Sequence, residues 1–200
     1  MLIGITGSIG SGKSRVLRKL ADLLGASIFN ADQECRTLME KGGEGYRRFV
    51  SLYGDSFLDR EGGIDRGKLR RELYDDEELK RALESILHPL VRDALTHERK
   101  SSAGRGSRII AAEIPLLFET GWQDEFDLVV LVSAPESLLI ERVLDRDGGA
   151  AEDVLSILAA QMSDSEKRKL ADVVIDNSND WNETEKQLKD LVLMVRNLAV

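Results

Sequence analysis

The segment Gly7–Ser14, with the sequence GSIGSGKS, constrains the fold of this chain more than any other. It matches the P-loop pattern G-x-x-x-x-G-K-[ST]. An apolar run, LIGIT, precedes it, and leucines at helical spacing follow it, so the pattern predicts a strand, a turn and a helix in direct succession. The glycines allow backbone N–H groups to surround a phosphate, and the helix N-terminus attracts the same charge.

The side chains of this segment indicate a nucleoside triphosphate as the ligand. Lys13 supplies a positive charge for the β- and γ-phosphates, and the hydroxyl of Ser14 is a ligand for Mg²⁺. The predicted nucleotide-binding residues of the segment are Gly10, Ser11, Gly12, Lys13 and Ser14. The alternative is a turn that uses glycine only for its geometry, and the strand–turn–helix context argues against it.

Composition limits the remaining functions. The chain has 200 residues, one cysteine and a net charge of −8, which indicates a globular protein of one domain, or of one domain with an insertion. The negative charge argues against a nucleic-acid surface. A single cysteine excludes an internal disulfide, and no segment is apolar enough to cross a membrane. We therefore expect a cytoplasmic protein with no membrane association, no nucleic-acid partner and no obligate protein partner.

The order of strand-like and helix-like segments indicates an α/β fold. Five apolar runs predict strands that form a parallel sheet with helices on both faces. These runs are LIGIT, ASIFN, SRIIAAE, DLVVLVS and ADVVIDN. The segment from Asp32 to Gly106 contains amphipathic helices with a break expected at Pro89, and a last helix is expected from about Asn182 to Leu198.

This order predicts the domain organisation. Residues 1–31 and 106–200 form a P-loop nucleotide-binding core, and residues 32–105 form a helical domain for the substrate. A pair of polar helices after a glycine pair, at about residues 143–168, is expected to act as a lid over the core.

Asp32 is the first candidate for a catalytic residue. It follows the second predicted strand, and ligands of open α/β sheets bind at the carboxyl ends of the strands. A carboxylate there can orient an acceptor hydroxyl and take its proton during phosphoryl transfer. The alternative is that Asp32 caps the following helix, since aspartate is favoured at that position.

Arg142 and Arg146 lie four residues apart and project from the same side of one predicted helix. Next to a lid, such arginines can neutralise charge on a transferred phosphoryl group. The alternative is a solvated helix face with weak local ion pairs to Glu141 and Asp145. The chain lacks the guanine-reading motif of GTPases, so a kinase is favoured over a GTPase.

Beyond the P-loop, six further motifs resemble those of the dephospho-CoA kinase family, in that family's order along nearly the whole chain. They are NADQ at Asn30–Gln33, LHPLV at Leu87–Val91, EIPLLFE at Glu113–Glu119, then RVLDRD, ILAAQ and ADVVIDNS. The resemblance implies transfer of the ATP γ-phosphoryl group to the 3′-hydroxyl of dephospho-CoA, which gives CoA and ADP. It also implies the architecture of nucleoside monophosphate kinases, with a core, a helical substrate domain and a lid.

The resemblance also implies roles for particular residues. Asp32 matches the proposed general base, and Arg142 matches an arginine near the phosphates. Asn177 lies in the segment that resembles the adenine-side wall, and Glu113 stands next to the phosphates, where it could act through Mg²⁺-bound water. His88 is a substrate-binding candidate, with a structural role as its alternative.

The sequence departs from the family at Asn30, where an aspartate is usual. This change removes a second carboxylate but leaves Asp32 in place. Two rival functions stay open: a P-loop kinase for another small molecule, and a catalytically silent module that binds ATP.

Overall fold

The structure is a computed structural model that describes residues 1–104 and 108–198. Its contacts divide the chain into two compact units: Met1–Asn30 with Ser101–Val200, and Ala31–Lys100. The boundary that we predicted between residues 105 and 106 lies outside the described residues. Each unit is described below by itself.

The first unit contains a five-stranded sheet, as predicted. Its strands are β1 (Leu2–Thr6), β2 (Ser27–Asn30), β3 (Ile110–Glu113), β4 (Leu128–Ser133) and β5 (Val173–Asp176). The strands are parallel in the order β2-β3-β1-β4-β5, with β1 at the centre. Every residue of β1, β3 and β4 is buried, which explains their uninterrupted apolar runs.

The register of the sheet places functional candidates at its carboxyl edge. Glu113, the last residue of β3, pairs with Asn30 on one side and with Ile5 on the other. The residue after Ile5 is Thr6, the end of β1, where the glycine-rich loop begins. Strand pairing therefore brings Asn30 and Glu113 next to the start of that loop.

The described residues contain nine α-helices. They are α1 (Lys13–Leu24), α2 (Ala31–Leu38), α3 (Glu44–Tyr53), α4 (Arg66–Asp75), α5 (Glu77–Gly104), α6 (Glu136–Asp147), α7 (Ala151–Ala159), α8 (Asp164–Leu170) and α9 (Trp181–Leu198). None of them combines the length and the apolar character needed to cross a membrane.

Helices α1 and α9 complete the core of the first unit against the sheet. Their apolar stripes share one buried cluster with the strands, as the helical spacing predicted. The helical members of this cluster are Val16, Leu17, Leu20, Ala21, Leu188, Leu191, Val192 and Val195. Helix α1 ends at Gly25 in the left-handed conformation, with φ of 63°.

The second unit is helical, and its residues 31–100 are all described. Helices α2, α3 and α4 and most of α5 surround a small core, and this segment contains an isolated bridge between Leu58 and Ile64 but no strand. The buried members of the core are Phe49, Leu69, Leu79, Ile86 and Leu90.

The break expected at Pro89 was wrong, because α5 continues through this residue from Glu77 to Gly104. A proline inside a helix costs about 3 kcal/mol, since it removes one hydrogen bond and crowds the preceding turn. Ile86, Leu90 and Val91 are buried on either side of it. Burial of each such side chain stabilises the folded state by about 1.5–3 kcal/mol, so packing outweighs the cost of the proline.

Candidate active site

The loop between β1 and α1 requires glycine at three of its positions, Gly7, Gly10 and Gly12. Gly10 and Gly12 have φ values of 79° and 87°, a region that other residues rarely adopt. A Cβ atom would lie 2.5 Å from the carbonyl oxygen of Leu139 at Gly10, and 2.4 Å from Nδ2 of Asn177 at Gly12. The loop is therefore held against α6 and the segment after β5.

The N-terminus of α1 is suited to an anion. Within the described residues no side chain caps it, so its backbone amides and the positive end of the helix dipole are directed to the loop. Lys13, the first residue of α1, extends back over the loop, with Nζ 3.4 Å from the carbonyl oxygen of Ser8. This arrangement of amides and one ammonium group is suited to a phosphate.

A buried carboxylate lies beside the first turn of α1. Glu113 is 3% exposed, and its Oε1 accepts a hydrogen bond from Oγ of Ser14 at 2.7 Å. Its Oε2 accepts a second hydrogen bond from Nδ2 of Asn30 at 2.9 Å. The strand register creates this triad from three distant positions in the chain.

The triad fits a magnesium ion as cofactor. Because the hydroxyl of Ser14 donates a hydrogen bond to Glu113, its lone pairs are available to a cation. A site with few protein ligands suits Mg²⁺, which keeps several waters and binds phosphate oxygens.

Asn177 joins the loop to β4 and α9. Its side chain is buried, donates from Nδ2 to the carbonyl oxygen of Ser11 at 2.8 Å, and accepts from Thr184 Oγ1 at 3.0 Å. Its backbone N–H donates to the carbonyl oxygen of Ser133 at 2.8 Å. The side-chain amide thus fixes the position of the P-loop backbone.

The two candidate arginines of α6 have different surroundings. Arg142 donates from Nη2 to the carbonyl oxygen of Asn177 at 2.9 Å, and within the described chain its Nη1 is buried without a hydrogen-bond partner. Arg146 is exposed and pairs with Asp147 at 2.6 Å, and these hydrogen bonds lower the pKa of Asp147. The structure therefore places Arg142, but not Arg146, in contact with the P-loop network.

The segment between α7 and α8 contributes contacts that sequence reasoning missed. Oε1 of Gln161 accepts a hydrogen bond from the backbone N–H of Ile9 at 3.3 Å. Glu119 accepts from the N–H of Met162 at 2.9 Å and lies 3.0 Å from Nζ of the fully buried Lys167. The ILAAQ motif contains Gln161, but nothing in its spacing indicates this partner.

The remaining candidates lie in the helical unit. Asp32 is exposed in the first turn of α2, two residues after the end of β2, and it lies inside the helix rather than at the N-cap. His88 is partly buried in α5, where it has an interaction partner. His97 is exposed.

A parallel sheet with β1 at its centre, a glycine-rich loop and an uncapped α1 define a P-loop protein of the small-molecule kinase type. The family model for dephospho-CoA kinase matches residues 1–183. The chain therefore belongs to the dephospho-CoA kinase family.

Individual relatives agree with this assignment. A dephospho-CoA kinase of Geobacillus kaustophilus is 35% identical over 188 residues, which cover 94% of this chain and 93% of the relative. A crystal structure from Thermus thermophilus has a TM-score of 0.82 and 34% identity, covering 97% of each chain. Dephospho-CoA kinase from Campylobacter jejuni has a TM-score of 0.71 at 24% identity, covering 100% of this chain and 98% of that one, and it supports the fold.

Proposed function

We propose that this protein is an ATP-dependent dephospho-CoA kinase. It transfers the γ-phosphoryl group of ATP to the 3′-hydroxyl of dephospho-CoA and releases CoA and ADP. The observation that carries the proposal is the Ser14–Glu113–Asn30 triad at the head of a P-loop, in a chain that the family model matches over residues 1–183. We place this reaction in the cytoplasm.

On the donor side, the P-loop binds the phosphates of ATP. The amides at the start of α1 and the ammonium group of Lys13 stabilise negative charge on the β- and γ-phosphates. Arg142 adds a guanidinium group that is already oriented by its hydrogen bond to Asn177. Its buried and unsatisfied Nη1 supports a role in binding an anion.

Ser14 is the protein ligand that we assign to Mg²⁺. Mg²⁺, when bound, neutralises charge on the β- and γ-phosphate oxygens. Glu113 orients the hydroxyl of Ser14 and can accept hydrogen bonds from water molecules beside it. Asn30 holds the other oxygen of Glu113, which fixes the direction of the carboxylate.

On the acceptor side, Asp32 is the general base. Its carboxylate accepts the proton of the 3′-hydroxyl while that oxygen attacks the γ-phosphorus, and the bond to the ADP oxygen breaks. The exposure of Asp32 and its place just after the carboxyl end of β2 support this role. We assign His88 to substrate binding and α7 with α8 to a lid that excludes water.

A mutant pair tests these roles. Lys13→Ala removes the phosphate-binding charge, so kcat should fall by about 10²–10³-fold or more. Asp32→Asn keeps the size of the side chain but removes the base, so kcat should fall by about 10²–10⁴-fold with ATP binding retained. Lys189→Ala, at an exposed position of α9, is the control. Full activity of Asp32→Asn would exclude Asp32 as the base.

Each of the two rival functions predicts a different result in activity and binding assays. A kinase for another small molecule would phosphorylate a different hydroxyl compound in a substrate panel and ignore dephospho-CoA. A silent binding module would bind ATP tightly and release no ADP with any acceptor. The match of the family over nearly the whole chain favours dephospho-CoA over both.

A further inference from the structure

The peptide unit between Ser8 and Ile9, in the P-loop, is held from both sides. Its carbonyl oxygen lies 3.4 Å from Nζ of Lys13 and accepts a hydrogen bond from the backbone N–H of Ser11 at 3.1 Å. Its N–H group, which belongs to Ile9, donates to Oε1 of Gln161 at 3.3 Å. The peptide is trans, so its carbonyl and its N–H point in opposite directions, and Lys13 and Gln161 lie on opposite sides of it.

This geometry makes the direction of the peptide depend on Gln161. A peptide unit in a loop can turn about the two bonds that flank it, and such a turn would direct the Ser8 carbonyl away from Lys13. The contacts at 3.3 and 3.4 Å are long for hydrogen bonds, so neither is strong by itself. Together they favour one direction of the peptide, in which the carbonyl oxygen faces the ammonium group.

The segment that carries Gln161, between α7 and α8, is anchored to the rest of the first unit. The backbone N–H of the next residue, Met162, donates to Oε1 of Glu119 at 2.9 Å. The same oxygen lies 3.0 Å from Nζ of Lys167, in α8, whose side chain is fully buried. These contacts fix the backbone beside Gln161, and they keep its side chain within reach of Ile9.

Close packing does not impose the contact between Gln161 and Ile9. A cavity of about 480 Å³ borders Gln161 and Ser8, and its other walls come from α6, α7 and the segment that follows α7. Because Gln161 faces open space on this side, the hydrogen bond directs its amide group. Helix α7 ends two residues before Gln161, so a movement of α7 would reach the P-loop through this side chain.

We infer that Gln161 is a positioning residue for the phosphoryl donor, an inference that rests on the proposed function. It fixes the Ser8–Ile9 peptide so that the carbonyl oxygen of Ser8 holds the ammonium group of Lys13 over the loop. Lys13 is the group that stabilises charge on the β- and γ-phosphates in the proposed reaction. Gln161 acts through this peptide, and it thereby connects the lid to the lysine.

The substitution Gln161→Met tests this role, because methionine keeps the length of the side chain but is only a weak acceptor. The loss of one neutral hydrogen bond predicts that kcat/KM for ATP falls by about three- to tenfold. The KM for dephospho-CoA and the melting temperature should stay unchanged. Gln123→Met is the matched control and should equal the wild type, because Gln123 is also partly buried but its Oε1 accepts no hydrogen bond within the described residues.

A double-mutant cycle with Lys13→Ala shows whether Gln161 acts through the lysine. The affinity for ATP is measured by titration, so the variants need no turnover. In the Lys13→Ala background, Gln161→Met should change this affinity by less than about 1.5-fold, against about threefold or more in the wild-type background. Equal effects in the two backgrounds would overturn the inference, because a change that acts elsewhere in the fold is additive.

The kinetic outcomes separate this inference from the proposed function. An unchanged kcat/KM for ATP in Gln161→Met, with an active wild-type protein, would overturn the positioning role alone. A fall of the same size in Gln123→Met would show a general sensitivity to the loss of a glutamine and would also overturn it. A wild-type protein that releases no ADP in response to dephospho-CoA would overturn the function itself.

Discussion

The substitution Glu113→Gln separates the chemical role of this buried side chain from its structural role. Both carboxylate oxygens accept hydrogen bonds, one from Ser14 at 2.7 Å and one from Asn30 at 2.9 Å. A glutamine can satisfy both neighbours if its Oε1 faces Asn30 and its Nε2 faces Ser14. The hydroxyl of Ser14 then accepts a hydrogen bond instead of donating one, and its hydrogen points towards the site of Mg²⁺.

The expected cost of this change can be estimated from hydrogen-bond energies. The apoprotein keeps two hydrogen bonds and loses a buried charge, so its stability should change by less than about 1 kcal/mol. With Mg²⁺ and ATP, the variant loses a hydrogen bond to a charged group, worth about 1.5–3 kcal/mol. At 1.36 kcal/mol for each factor of ten, this predicts a loss of about 10- to 150-fold in kcat/KM for ATP.

The assay follows ADP release at saturating dephospho-CoA over a series of Mg²⁺ concentrations, with thermal unfolding measured in parallel. The half-saturating Mg²⁺ concentration should rise for Glu113→Gln, and the melting temperature should stay within a few degrees of the wild type. Glu113→Asp, which keeps the charge, should lie between the two proteins. A Glu113→Gln enzyme with wild-type Mg²⁺ dependence would refute the role given to the Ser14 hydroxyl.

Three further predictions concern the P-loop, the thiol and a buried ion pair. Gly12→Ala forces φ of 87° on alanine and places its Cβ 2.4 Å from Nδ2 of Asn177, so a titration with ATP should show that ATP binding is lost. The control is Gly25→Ala, which also has a positive φ but meets no atom within 4 Å, and it should bind ATP normally. Burial raises the pKa of Cys35 to about 11, so the rate at which iodoacetamide alkylates this thiol should rise from pH 9 to about pH 11. The free energy of unfolding should fall over the same range, because the thiol of the unfolded chain loses its proton at lower pH. An alkylation rate that is already constant above pH 9 would contradict this. Lys167→Met breaks the buried ion pair with Glu119 and should lower the free energy of unfolding in urea by about 3–5 kcal/mol. The double variant Lys167→Met with Glu119→Gln should recover part of this loss. A double variant no more stable than the single one would contradict the pairing.

The parts of the fold that the sequence predicted are those with local signals. Five short apolar runs predicted all five strands, and in β1, β3 and β4 the run is continuous because every residue is buried. The P-loop was predicted because its glycines, lysine and serine are adjacent in the chain. The long α5 was predicted as two helices, because the burial of Leu90 and Val91 beside Pro89 depends on residues far away in sequence.

The contacts within the candidate site depend on strand register, which a single sequence does not specify. Ser14 and Glu113 are 99 residues apart, and Asn30 and Glu113 are 83 apart. The sequence therefore identified Ser14 and Glu113 as separate candidates and treated Asn30 only as a departure from the family. The helical spacing gave Arg142 and Arg146 equal weight, and the resemblance to the family singled out Arg142. In the structure Arg142 contacts Asn177, whereas Arg146 pairs with Asp147.

The most direct test of the central claim is the position of the phosphate in the product. The wild-type protein is incubated with ATP, Mg²⁺ and dephospho-CoA, ADP release is measured with and without the acceptor, and the product is analysed by mass spectrometry and phosphorus NMR. The account predicts ADP release that requires dephospho-CoA and a product with one added phosphate on the 3′-hydroxyl. Absence of stimulation in a protein shown to bind ATP, or phosphate at another hydroxyl, would contradict it.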